Sequence, residues 1–434
     1  MADGARSSHP KVQAQLDRLM ALGMGGDVLG LERVSALCAK LGNPQNEMPP
    51  VFHVAGTNGK GSTIAFLRAA LEAAGKSVHV FTSPHLVRFN ERIRLAGKLI
   101  DDEALAELLE EVLDAAGDIK PTFFEATTAA AFLAFSRTPA DATLVEVGLG
   151  GRLDATNIIE QPLVTGIASL GLDHQQFLGG TLPKIGAEKA GIAKDGVMLV
   201  TQAYPPATEA RIAEIAAATG ARWRPRRKAW DVVVRHGKLH YRDALGGLEL
   251  PLPRMPGRHQ HHNAGLAIAM LRLQGEFDIP DAAYAAALGW TDWPARLQRL
   301  REGSLFDRLP GSSELWVDGG HNPSAAREVA MAVKSMDDMP LTIIFAALTN
   351  KDAEGLLAPF DGMTDKVVTL GIDHHDCHPP EWLAELATGM GHDAQPAASL
   401  EAAFDMVEQP GRVLVFGSLY LAGQMLAANG TLPD

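Results

Sequence analysis

The sequence predicts an α/β protein with two parallel-sheet domains, the second smaller than the first. Between residues 51 and 200, short apolar runs alternate with longer helical patterns, and the alternation restarts at Glu314. Such alternation is typical of a parallel sheet with helices on both faces. The length of 434 residues also suggests at least two domains.

The predicted elements of the first domain follow one another closely. Its predicted strands are VFHVA, SVHVFT, ATLVEV, LVTGIA and VMLV, and its predicted helices are STIAFLRAALEAAG, a segment from Asp101, FFEATTAAAFLAFS and PKIGAEKAGIAK. The stretch DVVVRHGKLHYRDALGGLELPLP then becomes hairpin-like, which predicts a small β insertion of two short strands joined by Gly turns.

A boundary between domains is predicted after the insertion. A helix is expected from His262, and LGWTDWPARLQRL, which carries Trp and Pro, is expected to be a linker. The second domain repeats the α/β pattern in ELWVDGG, LTIIFAAL, KVVTL and RVLVFGS, with a helix after each of several strands. We therefore assign residues 1–293 to an N-terminal domain and residues 294–434 to a smaller, Rossmann-like C-terminal domain.

Composition and charge exclude several classes of protein. The net charge of −13 argues against a general nucleic-acid binder. Only Cys38 and Cys377 occur, so there is no disulfide framework and a reducing compartment fits. The N-terminus lacks an apolar signal core, and runs such as ATTAAAFLAF are shorter than a membrane span of roughly 20 residues. We expect a cytoplasmic protein that binds neither nucleic acid nor membrane.

The segment VFHVAGTNGKGST, residues 51–63, has the parts of a phosphate-binding loop in order. It fails the strict pattern G-x-x-x-x-G-K-[ST] at two positions, Val54 and Gly61. A phosphate cradle needs glycines, a lysine, a helix N-terminus and a hydroxyl for Mg²⁺. These parts are supplied by Gly56, Gly59, Gly61, Lys60, Ser62 and Thr63. The sequence therefore favours a P-loop ATPase-type domain, with an ordinary glycine-rich turn as the alternative.

Other polar residues follow predicted strand ends, where ligands of parallel sheets bind. Glu146 ends ATLVEV, and a carboxylate there can hold Mg²⁺ or form a structural salt bridge. Ser83 and His174 follow two further strands, although a lone Ser or His is more often a loop residue. Lys189 in AEKAGI, taken by pattern alone, is best explained as one half of a helix-surface pair with Glu188 or a neighbour.

The segment HVAGTNGKGST resembles the phosphate loop of folylpolyglutamate synthases and dihydrofolate synthases, relatives of the Mur ligases, in which glycine also separates the lysine from the hydroxyl. The resemblance continues, in family order, in TSPHLVRFNERI, VEVGLGGRLDATN, GLDH, EKAGI, DGGHNP and GSLY. It covers most of the chain, from Leu29 to Tyr420.

The resemblance implies roles for the residues near the phosphate loop. It makes Ser83, Glu146 and His174 ligands of Mg²⁺ together with Ser62, with two ions expected, and it leaves a monovalent cation open as a further cofactor. It implies that Lys189 is carbamylated. The residues expected to bind ATP are Gly56, Thr57, Asn58, Gly59, Lys60, Gly61, Ser62, Asn263, Arg296 and Asp318.

The resemblance also extends to the second domain and the second substrate. Arg296 in WPARLQ matches an arginine of a PGRLQ stretch that reaches ATP, with Ala295 in place of the usual glycine. Asp318 and His321 are expected at the ribose and at the phosphate or glutamate end, so that His321 joins Lys60 and Lys189 as a catalytic candidate. Ser418 in GSLY is expected on the glutamate side.

The segments LGLERV and TFFE resemble pterin-side pieces of bifunctional enzymes. Phe124 is the candidate for stacking on a pterin ring, with a core phenylalanine as the alternative. Two histidine-rich stretches, GRHQHHNAG and DHHDCHPP, are possible zinc sites, although solvent-facing residues are the favoured interpretation. The second holds His374, His375, Cys377 and His378.

The resemblance implies an ATP-dependent amide ligase that forms an acyl phosphate, which the amine of L-glutamate then attacks. Its expected substrates are dihydropteroate, reduced folates, L-glutamate and ATP, and we expect a monomer. A Mur-type ligase acting on a UDP-muramyl substrate is one alternative. A nucleotide-switch protein is another, since TNKDA approaches the guanine-binding pattern N-K-x-D but lacks the spacer.

Overall fold

The computed structural model describes residues 5–22 and 29–434. The chain divides into two compact units, one of Met1–Arg254 with Gln260–Asp292 and the other of Met255–His259 with Trp293–Asp434. The domain boundary between residues 293 and 294 stays a prediction.

The described helices are α1 (Pro10–Ala21), α2 (Glu32–Lys40), α3 (Lys60–Ala73), α4 (Asp102–Ala116), α5 (Phe123–Arg137), α6 (Gln175–Leu178), α7 (Leu182–Ala190), α8 (Pro206–Thr219), α9 (Arg258–Leu273), α10 (Asp281–Trp290), α11 (Pro323–Lys334), α12 (Ala353–Leu357), α13 (Pro380–Gly389), α14 (Leu400–Asp405) and α15 (Leu419–Ala428).

A sheet of eight strands lies at the centre of the first unit. Its strands are β1 (Val51–Ala55), β2 (Val78–Phe81), β3 (Ile93–Leu95), β4 (Lys98–Leu99), β5 (Ala142–Glu146), β6 (Val164–Ile167), β7 (Met198–Thr201) and β8 (Arg222–Pro225). The spatial order is β4-β3-β2-β5-β1-β6-β7-β8, and all pairs are parallel except those made by β3. Strands β1, β2, β5 and β6 are buried along their whole length, as expected when helices cover both faces.

The small β insertion has three strands, one more than predicted. They are β9 (Trp230–Arg235), β10 (Lys238–Asp243) and β11 (Gly246–Leu250), in the antiparallel order β11-β10-β9. Alternate side chains of all three strands are buried, including Val232, Tyr241 and Leu250. The third strand forms because Leu248 and Leu250 complete this apolar face, a signal that the glycines before it obscure.

The second unit contains a six-stranded sheet. Its strands are β12 (Gln298–Leu300), β13 (Glu314–Asp318), β14 (Leu341–Phe345), β15 (Lys366–Thr369), β16 (Ala394–Pro396) and β17 (Arg412–Phe416), in the order β12-β13-β17-β14-β15-β16. Only the edge strand β12 runs antiparallel. The prediction of an α/β fold with a smaller C-terminal domain is confirmed.

Two sequence expectations differ from the structure around the unit boundary. The predicted linker LGWTDWPARLQRL contains the end of α10 and the edge strand β12. Helix α9 begins at Arg258 and not at His262, because its first turns carry polar residues that give no apolar periodicity. Within residues 5–22 and 29–434, no helix has the length and apolar character needed to cross a membrane.

Candidate active site

The phosphate-loop segment connects the buried strand β1 to helix α3. Gly59 precedes the first residue of α3 and has a φ of 84°, in the left-handed region that favours glycine. A Cβ atom at position 59 would collide with the amide of Asn263, so the loop packs directly against α9. Glycine is therefore needed here both for the backbone turn and for this close approach.

The backbone amides of the loop are divided between two tasks. The N–H groups of Thr57 and Asn58 donate to the carbonyl of Ser169, at 2.8 and 3.3 Å. The next residues, Lys60, Gly61 and Ser62, form the first turn of α3, where an α-helix provides no acceptor for the N–H groups. The helix N-terminus therefore offers the donors expected of an anion site, whereas the amides of Thr57 and Asn58 hold the loop in place.

The carboxyl ends of β1, β2 and β5 bring three predicted site residues together. Lys60 Nζ lies 3.8 Å from Glu146 Oε1, and the backbone N–H of Ser83 donates to Glu146 Oε2 at 3.4 Å. The Glu146 side chain is 7% exposed and that of Lys60 is 16% exposed. This group exists because β5 lies between β1 and β2 in the sheet, so residues distant in sequence reach one edge.

Lys189 is a buried residue of α7 and not a surface partner of Glu188. Its exposed fraction is 4%, whereas Glu188 bonds to Arg152 at 3.1 Å. Burial lowers the pKa of Lys189 to about 7, and the charge of Lys60 contributes to the lowering. The negative charges of Asp154 and Asp173 act on the pKa of Lys189 in the opposite direction.

Asp154 is a buried carboxylate that the sequence analysis did not single out. Its Oδ1 accepts from the N–H and hydroxyl of Thr156, at 3.0 and 2.5 Å, and its Oδ2 accepts from the Leu149 N–H at 2.8 Å. Burial raises the pKa of Asp154, and the hydrogen bonds from Leu149 and Thr156, followed by the Lys60 charge, oppose this rise. The only sequence signal was its position in GGRLDATN, after the glycine loop that follows β5.

His53 extends this network into the middle of β1. Its Nε2 lies 2.8 Å from the Thr156 hydroxyl, and its ring is fully buried. Burial lowers the pKa of His53 to about 3, so the imidazole is neutral. Because the Thr156 hydroxyl donates to Asp154, the neutral ring donates from Nε2 to Thr156. A polar residue in an otherwise apolar strand was the signal available in the sequence.

Ser62 is held by a second buried residue that the sequence analysis missed. Gln260 Nε2 donates to Ser62 Oγ at 3.4 Å, and Asn263 Nδ2 donates to Gln260 Oε1 at 3.0 Å. All three side chains are at most 4% exposed. The spacing of Gln260 and Asn263, three residues apart on one helix face, was the signal in the sequence.

His174 is the residue before α6 and has a left-handed φ of 48°. Its backbone N–H donates to Asp173 Oδ1 at 2.9 Å, and its Nε2 lies 4.0 Å from the same oxygen. Asp173 in turn acts electrostatically on Lys189. His174 is thus connected through Asp173 to the group around Lys189.

The two segments assigned to the pterin side contact each other. Arg33 Nε of LGLERV donates to Glu125 Oε2 of TFFE at 2.9 Å, and the same oxygen accepts from the Thr122 N–H. Phe124 lies against the loop after β5, where a Cβ at Gly148 would collide with its ring. The Phe124 ring also lies 6.0 Å from that of Phe81, so it is partly a core residue.

The second unit places its motif residues at the carboxyl ends of β13 and β17. Asp318 is 4% exposed, and its oxygens accept from the N–H groups of Leu297 and Gly320, both at 2.7 Å. Burial raises the pKa of Asp318, an effect opposed by the Arg296 charge. His321 Nδ1 lies 3.0 Å from the Gly319 carbonyl. Ser418 precedes α15, and its hydroxyl accepts from the Tyr420 N–H at 3.1 Å.

The two histidine-rich stretches show no metal-binding geometry. In the described part of the chain, no group of three or more His, Cys, Asp or Glu side chains is arranged to hold a metal ion. His375 stacks on Tyr420 at 3.8 Å between ring centroids, and His378 stacks on Trp382 at 4.2 Å. Cys377 Sγ accepts from the Ile372 N–H at 3.2 Å. These rings pack against aromatic neighbours.

The first unit has a glycine loop before a helix N-terminus, with a lysine and a carboxylate at the carboxyl ends of parallel strands. These features define the class of phosphate-binding α/β enzymes. Comparisons with known proteins identify the branch of that class. Residues 306–419 match the Mur ligase glutamate ligase domain. The dihydrofolate synthase/folylpolyglutamate synthase of Escherichia coli is 35% identical over 402 residues, which are 92% of this chain and 90% of that protein.

Solved structures agree with this relationship. Escherichia coli FolC in complex with DHPP and ADP superposes with a TM-score of 0.87 at 33% identity, covering 96% of this chain and 97% of that one. A bifunctional folylpolyglutamate synthase/dihydrofolate synthase with Mn, AMPPNP and L-glutamate bound gives a TM-score of 0.85 at 32% identity, covering 96% and 97%. The chain therefore belongs to the folylpolyglutamate synthase/dihydrofolate synthase family, whose members are ATP-dependent ligases.

Proposed function

We propose that this ligase joins L-glutamate to the carboxylate of dihydropteroate and to reduced folates, using ATP and an acyl phosphate intermediate. One observation carries the proposal: Lys60 and Glu146 lie 3.8 Å apart at the end of a phosphate loop, beside the buried Lys189. This combination suits a reaction in which charge moves between phosphate and carboxylate groups. The relatives supply the substrate class, because E. coli FolC was solved with DHPP and ADP.

The chemistry has two steps. A substrate carboxylate oxygen attacks the γ-phosphorus of ATP, which releases ADP and forms the acyl phosphate. The uncharged amine of L-glutamate then attacks the acyl carbon, the bond to phosphate breaks, and an amide, inorganic phosphate and a proton result. Lys60 and the N–H groups opening α3 stabilise the phosphate charge during transfer. Gly56, Thr57, Asn58, Gly59 and Gly61 shape the loop that presents them.

The residues at this edge suit Mg²⁺, which prefers oxygen ligands. The Glu146 carboxylate and the Ser62 and Ser83 hydroxyls would hold one ion, and His174 with the group around Lys189 would hold a second. The buried Ser62 hydroxyl and the Glu146 carboxylate at the sheet edge support the fit. Magnesium would neutralise phosphate charge when bound. The relative solved with Mn and AMPPNP supports a divalent cation.

We propose a carbamate at Lys189. A lysine attacks carbon dioxide only as the uncharged amine, and the attack forms an N–C bond and releases one proton. The pKa of Lys189, lowered by burial to about 7, makes that form available near neutral pH. Glu188, its neighbour in sequence, bonds to Arg152, and the charges of Asp154 and Asp173 only partly oppose the lowering of the Lys189 pKa.

The pterin end is proposed to lie near Phe124. The Arg33–Glu125 ion pair fixes the start of α5, and the ring of Phe124 lies over Gly148, two residues beyond Glu146. An aromatic ring so close to the sheet edge can stack on a planar heterocycle. This position supports Phe124 as a substrate residue despite its partial contact with the core.

The remaining residues are proposed to bind the nucleotide and the amino acid. Asn263 contributes to the adenine side, whereas Arg296 and Asp318 contribute to nucleotide binding in the second unit. His321 and Ser418 are proposed for the phosphate or glutamate end. Asp318, His321 and Ser418 lie at or just after the carboxyl ends of β13 and β17, which supports their roles because ligands of α/β sheets bind there.

Three broader properties belong to the same proposal. We propose that the protein is a monomer and that it works in the cytoplasm. We also propose a monovalent cation as an activator. Both cysteines are free, which suits a reducing compartment. Sedimentation at working concentration tests the monomer, and a potassium titration at fixed Mg²⁺ tests the cation.

The substrate assignment is tested by offering the purified protein different acceptors. With ATP, Mg²⁺ and L-glutamate present, phosphate release and mass spectrometry are followed for dihydropteroate, a reduced folate and a UDP-muramyl peptide in turn. We expect a gain of one glutamyl group on each of the first two acceptors and none on the third. Turnover of the UDP-muramyl peptide alone would overturn the assignment.

A further inference from the structure

The first turn of α3 carries two neighbouring hydroxyls with different surroundings. Thr63 Oγ1 donates to the Gly59 carbonyl four residues earlier, at 2.8 Å. Such back-bonding is the ordinary behaviour of a Ser or Thr hydroxyl in a helix. The Ser62 hydroxyl instead contacts a side chain from another helix, the amide of Gln260 on α9. This contact singles out Ser62 among the loop hydroxyls.

The direction of the Gln260 amide follows from its second partner. Asn263 Nδ2 donates to Gln260 Oε1 at 3.0 Å, which leaves Gln260 Nε2 facing Ser62 Oγ at 3.4 Å. Gln260 thus presents a donor to the serine oxygen. An alcohol oxygen that accepts one hydrogen bond retains one lone pair and its own proton. One lone pair is what a cation requires from a neutral hydroxyl ligand.

Packing keeps this amide pair in one arrangement. The exposed fraction is 0% for Gln260 and 4% for Asn263. Asn263 lies against Gly59, where there is no room for a Cβ atom. The contacts therefore run from Gly59 through Asn263 and Gln260 to Ser62, and both ends lie in the phosphate loop. Glutamine and asparagine together brace the first turn of α3.

We propose that Gln260 is a positioning residue that orients the Ser62 hydroxyl for a divalent cation. It does so by occupying one lone pair of Ser62 Oγ, which fixes the direction of the lone pair that remains for the cation. The inference rests on the metal-ligand role proposed for Ser62. It adds a residue outside the phosphate loop that controls metal affinity without touching the metal.

The test measures Mn²⁺ binding by the loss of the free-ion electron paramagnetic resonance signal, using the full chain with saturating ADP. For Gln260→Met, which keeps the volume but removes the donor, we expect Mn²⁺ affinity to fall about tenfold, typical of losing a group that orients a metal ligand. ADP affinity is measured separately in EDTA, where no metal is bound, so that ADP stays saturating even if removal of the Asn263 partner weakens its binding. If Gln260→Met does not fold, Gln260→Leu replaces it.

The matched control is Gln202→Met. Gln202 is also a buried glutamine, 5% exposed, and its Nε2 donates to the His262 carbonyl of α9 at 2.8 Å, away from Ser62. Its loss should leave Mn²⁺ affinity unchanged. An equal loss of affinity in Gln202→Met and Gln260→Met would mean that any disturbance of α9 suffices, and would overturn the positioning role.

A double variant separates this inference from the proposed function. If Gln260 acts through Ser62, then Ser62→Ala with Gln260→Met should bind Mn²⁺ no more weakly than Ser62→Ala alone. Additive losses, or wild-type affinity in Gln260→Met beside weak binding in Ser62→Ala, would overturn only the role of Gln260. Wild-type affinity in Ser62→Ala would overturn the metal role of Ser62 and the inference with it.

Discussion

The sheet edges of the two units use their polar residues differently. In the first unit, Lys60, Glu146 and Lys189 are charged or titratable side chains that act on one another or share a neighbour. In the second, Asp318 accepts two backbone N–H groups and Ser418 caps a helix, so both shape the main chain, although the Arg296 charge also acts on Asp318. The side chains of the first group therefore interact mainly with one another, whereas those of the second bond mainly to the backbone.

The largest expected effect of a substitution is at Lys60, because its charge stabilises the phosphate groups. Lys60→Ala removes the cation beside Glu146 and should lower kcat by at least about 10³-fold, since electrostatic stabilisation of the transferring group is lost. Ser62→Ala should also abolish turnover. Glutamate-dependent phosphate release measures the rate, and far-ultraviolet circular dichroism checks that the fold persists.

Arg68→Ala provides a charge-matched control on the same helix, α3. Arg68 lies about two turns beyond Lys60 and forms an ion pair with Glu72 at 2.9 Å. Its loss should leave kcat within about twofold, because such an i,i+4 surface pair contributes only a few tenths of a kcal/mol. Near-normal rates in Lys60→Ala would reduce the motif to a turn.

Lys189 should show the next largest effect. Lys189→Ala should lose most activity, and short carboxylic acids added in solution should restore part of it by replacing the carbamate anion. Arg152→Ala, which removes the partner of the neighbouring Glu188, is the control. A bare amine in a magnesium- and nucleotide-bound crystal, with full activity in buffer depleted of carbon dioxide, would refute the carbamate.

The pH dependence of stability provides a second readout for Lys189. Its pKa in the folded protein is about 7, against an ordinary value of 10.5. Between these values the unfolded chain binds the extra proton, so stability rises with pH by up to about 1.4 kcal/mol per unit. In buffer depleted of carbon dioxide, the free energy of unfolding of wild type minus that of Lys189→Met should therefore rise between about pH 7.5 and 9. A flat difference would mean an ordinary, solvated lysine.

Much of the candidate site at the carboxyl ends of the strands in the first unit could be predicted from the sequence. The strand ends at Ala55 and Glu146 follow from short apolar runs, and parallel strands bring their carboxyl ends together. The burial of Lys189 could not be predicted, because AEKAGI has the same local pattern whether or not the glycine loop of Arg152 packs on it. Gln260 was missed for a similar reason, since its partner Ser62 lies 198 residues away in sequence.

Phe124→Ala tests an intermediate effect within the first unit. Loss of an aromatic stacking partner should lower kcat/KM for dihydropteroate by roughly tenfold and for a reduced folate by less. Phe81→Leu, which changes the ring against which Phe124 packs, is the control for core disturbance. Equal losses for both substrates would place Phe124 in the core alone.

Ser418→Ala tests the second edge. Loss of the cap should lower the free energy of unfolding by about 1 kcal/mol. Ser399→Ala removes a matching cap, since Ser399 precedes α14 and accepts from the Ala402 N–H at 3.2 Å. Only Ser418→Ala should also raise the KM for L-glutamate, by about fivefold for one lost hydrogen bond. An unchanged KM would leave Ser418 with the capping role alone.

The smallest effect of a substitution is expected at Ala295, which stands where the family usually has glycine. Ala295 has a φ of 54° and is fully buried. Ala295→Gly relieves a left-handed conformation that costs about 1–2 kcal/mol, but it loses a buried methyl group worth about 0.8 kcal/mol and gains entropy when unfolded. The free energy of unfolding should therefore change by less than about 1 kcal/mol.

Ala330→Gly in α11 is the control. It removes a similarly buried methyl group from a helix, where there is no left-handed conformation to relieve, and should cost about 2 kcal/mol. Equal losses in urea titrations of the two variants would mean that the turn before Arg296 carries no strain.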